Sequence, residues 1–129
     1  MTTAGERFAV ALVNKDGAAV SGLLGDAVDF QALTPGRHWQ ADSGQAATAI
    51  IFGQWFGPGV DIAGLCSVAT GQVAGRGHVC YRLRVRSGGS DYLVEQQAYY
   101  DTDGPRISWI RILCSGYRLV LDDTAVDAR

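Results

Sequence analysis

Two phenols and an amide, Tyr81, Tyr100 and Gln96, fall on one side of the run from Val79 to Tyr100, and neutral donors of this kind hydrogen-bond a carbonyl or a phenolate. The run Val79-Cys80-Tyr81-Arg82-Leu83-Arg84-Val85-Arg86 alternates strictly, and Ser87-Gly88-Gly89-Ser90 separates it from a second run, Asp91 to Tyr100. A Gly-Gly pair is a strong two-residue hairpin signal. With Gly88 and Gly89 as the loop, Arg86 opposes Asp91, Val85 opposes Tyr92, Leu83 opposes Val94, Arg82 opposes Glu95 and Tyr81 opposes Gln96, because directly opposed residues share a face. Val79, Tyr81, Leu83, Val85, Tyr92, Val94, Ala98 and Tyr100 then lie on one side, and the arginines with Asp91 and Glu95 on the other. A slip of one residue would turn the arginines inward. Gln96 is the polar member of the apolar side, and a buried amide needs partners. Preorganised donors such as Gln96 and Tyr81 stabilise an oxyanion without a charged residue, each worth roughly 3 to 4 kcal/mol in a transition state.

Other candidates surround this set. Ser108, Ile110, Ile112 and Cys114 share one parity of a last strand, Ile107 to Ser115. Cys114 has the chemistry of a nucleophile only as a thiolate with a basic neighbour, and it equally suits a small apolar filler. His38 titrates near neutrality and is a candidate proton acceptor, although it follows Gly36-Arg37 in what reads as a loop. Asp29 is a candidate carboxylate on the first strand, whose parity with Val28 and Phe30 turns it away from them. Phe8, Trp39, Trp55 and Phe56 supply apolar walls. Three cysteines and two histidines occur at no metal-ligand spacing, so no metal is expected. The glycine-rich stretch Gly71 to Gly77 has no lysine and following helix with which to cradle a phosphate, and no cofactor is expected.

Composition bounds the partners. A chain of 129 residues, 47% apolar and 19% charged, has room for one core and reads as one domain over 1–129. A net charge of −2, with no basic cluster beyond Arg82, Arg84 and Arg86, argues against a nucleic-acid or anionic-membrane partner. No stretch approaches the roughly 20 apolar residues that span a bilayer, and Met1 to Glu6 lacks the basic and apolar regions of a secretion signal. A cytoplasmic protein with reduced thiols is expected.

The positioning elements follow from periodicity and punctuation. Thr3 and Glu6 form a capping box for a helix through Phe8, Leu12 and Val13. Asp16 caps a second helix that buries Val20, Leu23 and Leu24 and stops at Gly25. Val28 to Leu33 is a short strand closed by the turn Thr34-Pro35-Gly36. Asp42 and Gln45 cap a third helix running to Phe56, ended by Gly57-Pro58-Gly59. Ile62 to Val73 is a long strand whose Gly64 and Gly71 imply bulges or bends. Helices followed by four long strands make an α+β domain: about three N-terminal helices packed on the concave face of a cone-shaped, curved, mostly antiparallel sheet, enclosing a pocket.

The order of elements, the segment from Arg7-Phe8 to Asp16, and the strand pair ending in Tyr99-Tyr100-Asp101-Thr102-Asp103-Gly104-Pro105-Arg106-Ile107 resemble the SnoaL-like proteins of the nuclear-transport-factor-like cone fold over residues 3 to 118. The resemblance implies a cofactor-independent cyclase or isomerase acting on an apolar, carbonyl-bearing secondary metabolite. It also implies a homodimer through the outer face of the sheet, where Trp109 and Leu113 supply apolar surface. The family's catalytic groups do not carry over. The ketosteroid isomerase tyrosine falls on Phe8, its basic aspartate on Thr34 and its second oxyanion donor at or beside Gln96, while the epoxide hydrolase triad falls on Tyr81, Val79 and Ile112. Two other readings stay open: a non-catalytic binder of an apolar metabolite, and an interaction protein with a filled core.

Overall fold

Residues 2–121 are described by the computed structural model of the chain. Helix α1 (Ala4–Val13) is capped by Thr3, whose hydroxyl accepts the Glu6 N–H at 3.1 Å. Helix α2 (Gly17–Leu23) is capped by Asp16, which accepts the Ala19 N–H at 3.0 Å. Strand β1 (Leu24–Thr34) extends beyond the short strand expected, and the chain turns at Pro35-Gly36 into β2 (Arg37–Ala41). His38 and Trp39 therefore lie on a strand rather than in a loop. The five-residue β2 has no long apolar alternation of its own, and its pairing with β1 decides its conformation.

Helix α3 (Gly44–Ile50) is capped by Ser43, whose hydroxyl accepts the Ala46 N–H at 3.0 Å. The cap expected at Asp42 thus falls one residue later, because the hydroxyl rather than the carboxylate reaches the free amides. The helix then widens into a π-helical turn (Ile51–Trp55), closed by the Phe56 N–H donating to the Ile51 carbonyl five residues back at 2.8 Å. The Lys15 ammonium donates to the carbonyls of Gly57 and Val60 at 2.9 and 2.7 Å and pins the chain where it leaves this turn.

Strands β3 (Val60–Val73), β4 (Arg76–Ser87), β5 (Ser90–Asp103) and β6 (Arg106–Cys114) follow, and a two-residue β7 (Arg118–Leu119) pairs with β5. The sheet runs β2-β1-β6-β5-β4-β3, antiparallel throughout except for the parallel β1/β6 pair. The β4/β5 register is the one the Gly88-Gly89 loop demands: Tyr81 opposes Gln96 and Arg86 opposes Asp91. Bulges interrupt β3 on either side of Gly64–Leu65, whereas Gly71 pairs regularly with His78, so the second expected bulge is absent. A further irregularity between β5 and β6 leaves Ser108 unpaired, so the core position goes to the fully buried Ile107 and Ser108 is half-buried, its hydroxyl directed at the Asp101 carbonyl at 3.4 Å. The strict parity expected for Ser108 fails there because a bulge adds one residue to the alternation.

The three helices cover the concave face, where Phe8, Leu12, Val20, Phe30, Phe56, Leu83 and Ile110 are fully or almost fully buried. On the convex face the charges pair: Arg82 with Glu95 at 2.6 Å, and Arg86 and Arg84 with Asp91 at 3.1 and 3.5 Å. Such partly exposed pairs add little stability, but they leave one register in which no arginine is buried. Among the described residues, no helix is long and apolar enough to cross a membrane.

The apex of the cone is closed by Tyr100, whose hydroxyl accepts the free Gly5 N–H in the first turn of α1 at 3.0 Å. Its ring lies flat against Gly77, where a Cβ would stand inside the ring's van der Waals shell. Gly77→Ala is expected to lower the unfolding free energy by about 1 to 3 kcal/mol through overpacking, read from urea denaturation midpoints.

Candidate functional site

Tyr81 and Gln96 meet because the hairpin register places them opposite each other on inward-facing positions of β4 and β5. Both are fully buried, and among the described residues Gln96 is the only buried residue with a polar or charged side chain outside the aromatic group. The Tyr81 hydroxyl donates to the Gln96 Oε1 at 2.6 Å. Burial first, then the thiols of Cys114 and Cys80, push the Tyr81 phenol well above its ordinary value, so it stays a neutral donor. With Oε1 occupied, the Gln96 Nε2 points into the core with no hydrogen-bond partner. Reversing the amide would orphan both Oε1 and the Tyr81 proton, so the observed orientation is the better of the two.

A second orphan lies in the same concave face. The π-helical turn carries Trp55 inward with its ring 6.1 Å from Phe30 and 6.3 Å from Trp39, the latter edge-on at 79°. Trp39 donates its own Nε1–H to the Thr34 hydroxyl at 2.8 Å, but the Trp55 Nε1–H has no partner although the residue is 8% exposed. A buried N–H without an acceptor costs about 1 to 3 kcal/mol, so two of them in one core are a penalty that the packing leaves unrepaid. π-Helical turns are uncommon and concentrate at functional sites.

Cys114 is the neighbour of Gln96 on β6, half-buried, its sulfur accepting the Gly116 N–H at 3.3 Å. Gly116 adopts φ +77°, which glycine alone takes without strain, and a Cβ there would strike the Pro35 ring. The chain then delivers Tyr117, whose hydroxyl donates to the Trp55 carbonyl at 2.5 Å and whose ring lies 6.2 Å from Phe56 and 5.4 Å from Tyr92. Burial, then the Cys114 thiol, raises the Tyr117 phenol to about 12. Ile112 and Ile110, with the Phe8 ring 6.3 Å from Tyr81 and tilted 59° to it, complete the apolar wall.

Several sequence candidates lie elsewhere. Asp29 is exposed on the convex face and pairs with Arg111 at 3.1 Å. His38 is exposed on the same face and bonds the Gln31 Oε1 at 2.9 Å, because Trp39 takes the inward position of β2. Neither reaches the interior as a base. Tyr100 is held at the apex by Gly5, two inward positions beyond Gln96, and Ser108 lies in its bulge. Surface hollows of about 780 Å³ beside Trp109 and about 420 Å³ beside Asp29 are not lined by Tyr81, Gln96 or Trp55. The interior is packed closed. Two features escaped the sequence reading: the unpaired Trp55 N–H, since a π turn has no composition signal, and Tyr117, for which the only sign was an aromatic residue placed directly after Gly116. The tail was expected to cap the cone or to pair across a dimer; residues 117–121 lie along β5, and the rest of that tail lies outside the described residues.

No family model matches the sequence, and no curated protein matches it. Solved structures do. An epoxide hydrolase of the LEH-like type from M. tuberculosis is similar at 18% identity, with a TM-score of 0.65 over 87% of this chain and 80% of that one. A proposed isomerase from Bacillus subtilis aligns at 12% identity with a TM-score of 0.72, over 87% and 84% of the two chains. A proposed polyketide cyclase from Pseudomonas putida aligns at 15% identity with a TM-score of 0.64, over 87% and 91%. The chain has the NTF2-like cone fold. At these identities the likeness is one of fold, and in this NTF2-like cone no buried carboxylate or imidazole is present among the described residues.

The Tyr81–Gln96 pair makes a stability prediction. Tyr81→Phe leaves both ends of the Gln96 amide unpaired and is expected to cost about 1 to 3 kcal/mol, whereas Tyr81→Phe with Gln96→Leu removes every polar atom of the pair and returns to within about 1 kcal/mol of the parent or exceeds it. Urea denaturation of the two single variants and the double variant reads the cycle.

Proposed function

We propose that this chain is a small-molecule pocket protein whose concave interior receives an apolar ligand through an acceptor oxygen. The observation that carries the reading is the pair of buried, unpartnered N–H groups, Gln96 Nε2 and Trp55 Nε1. Both are donors, Tyr81 is held protonated behind Gln96, and the walls are aliphatic and aromatic. The complementary ligand is a carbonyl compound with a ring or polyene body. Donors of this kind favour an oxygen that gains negative charge, which is the requirement of an enolising isomerase or a cyclase. The likeness in fold to the proposed isomerase and the proposed polyketide cyclase supports that finer assignment, to a secondary-metabolite carbonyl. No metal or cofactor enters it.

A specific observation favours a second reading, binding without conversion: with Asp29 and His38 on the convex face, no buried side chain among the described residues is placed to take a proton. Comparing 2-acetonaphthone with 2-ethylnaphthalene tests the donors. The ketone is expected to bind roughly tenfold more tightly, about 1.4 kcal/mol, and Gln96→Leu to erase the difference in tryptophan-fluorescence titration. Equal affinity for the two probes overturns the reading. Deuterium incorporation into the bound ketone's methyl group, followed by proton NMR, separates an enolising enzyme from a binder.

The partner on the convex face is a second copy of the chain. Leu33 and Leu113 are paired neighbours there, 51% and 52% exposed, and they replace Trp109 as the apolar centre, since the Trp109 ring is covered by Arg76 at 3.8 Å and Arg111 at 4.4 Å. A cytoplasmic location accords with three free cysteines. Light scattering is expected to show a dimer that Leu33→Lys with Leu113→Lys reduces to the 13.7 kDa chain.

A further inference from the structure

Any ligand that reaches Gln96 or Trp55 has to pass a wall, because Gln96 is 0% exposed and Trp55 8%. The walls differ in how they are held. The sheet side is hydrogen-bonded from strand to strand apart from its bulges, and the helical side rests on Phe8, Leu12 and Phe56, all at 1% exposure or less. The segment from Ser115 to Leu121 is different. It touches β5 through the two pairs of β7 and through the Ser115 and Val120 N–H groups, which donate to the Glu95 and Asp91 carbonyls at 2.9 Å each. Leu119 and Leu121 face outward at 53% and 87% exposure. Tyr117 carries this segment onto the π turn, through its hydroxyl on the Trp55 carbonyl and its ring on Phe56, while the same ring also packs on Tyr92 of β5.

We infer that residues 115–121 form a strap over the Trp55 side of the closed core, that Tyr117 is its latch, and that a ligand reaches the buried donors when the latch leaves Trp55. The inference rests on the reading of Gln96 and Trp55 as ligand donors, and the latch acts on one of them directly. The Trp55 carbonyl closes the C-terminal end of the π turn, where helix carbonyls lack internal partners, so the Tyr117 hydroxyl satisfies it. Releasing Tyr117 frees the end of the turn that carries the indole. Gly116, in its left-handed conformation against Pro35, is the pivot, since the strap beyond it has only two ladder pairs to break. Two unsatisfied donors inside a closed core, and a short edge segment whose Tyr117 reaches across to the π turn, are what a binding site with a gate requires.

Acrylamide quenching of Trp55 fluorescence tests the gate without any ligand, in a background where Trp39→Phe and Trp109→Phe leave Trp55 as the single tryptophan. Acrylamide needs no affinity for the site, so a failure of the ligand proposal and a failure of the gate give different results. Tyr117→Ala is expected to raise the quenching constant at least threefold while the chain still melts cooperatively, and Tyr117→Phe, which keeps the ring and loses the hydroxyl, to raise it less. If Tyr117→Ala does not fold, a rise of at least about 1.5-fold in Tyr117→Phe stands in its place. A quenching constant equal to that of the parent background in the folded latch variants overturns the gate.

Discussion

The register of one hairpin governs this molecule. A two-residue Gly88-Gly89 loop leaves β4 and β5 a single pairing, and that pairing decides at once which side chains are buried and which meet water. It sets Arg82, Arg84 and Arg86 against Asp91 and Glu95 outside, and Tyr81 against Gln96 inside. Every other element is laid on this frame. Strand β6 extends it with Ile110 and Ile112, β3 flanks it with bulges that curve the edge, and α1 lays Phe8 on Tyr81.

Within the frame there is an unusual conflict. A core of this size fills itself with aliphatic and aromatic side chains, yet it retains an amide nitrogen and an indole nitrogen with nothing to bond. An apolar residue at either position would pack at lower cost, so these donors are an expense to stability that function explains better than packing does. The Tyr81 hydroxyl orients the amide and turns its free end inward. The π turn does the same for Trp55, inserting one residue into a helix so that the indole faces the sheet. Neutral donors set among apolar side chains can hold or polarise an acceptor oxygen, and the placement of Asp29 and His38 on the convex face leaves neither side chain where it could take a proton there.

The aromatic side chains divide the interior by task. Tyr100 spends its hydroxyl on the first turn of α1 and closes the apex, Tyr81 serves Gln96, and Tyr117 bridges from the C-terminal segment to the π turn. Their chemical identity is the same, and their roles follow from what backbone group or side chain each is carried to. That is why a tyrosine on the apolar parity of a strand, read alone, is not yet a ligand contact.

Strand parity, the hairpin loop and the capping residues Thr3 and Asp16 are local signals, and from them the sequence by itself determined the α+β cone, the face on which Gln96 is buried, and the pairing of Tyr81 with it. Those features depend only on alternation and on turn chemistry within a few residues. Contacts remote along the chain decided the rest. Pairing with β1 turned His38 outward and Trp39 inward. A bulge between β5 and β6 moved Ile107 into the place expected of Ser108. Packing against Phe30 and Trp39 drew Trp55 into a π turn, and a positive φ at Gly116 swung Tyr117 sixty-two residues back along the chain to its carbonyl. In each case the deciding energy comes from a partner that sequence separation hides, so only the tertiary structure could show which donors were left without one.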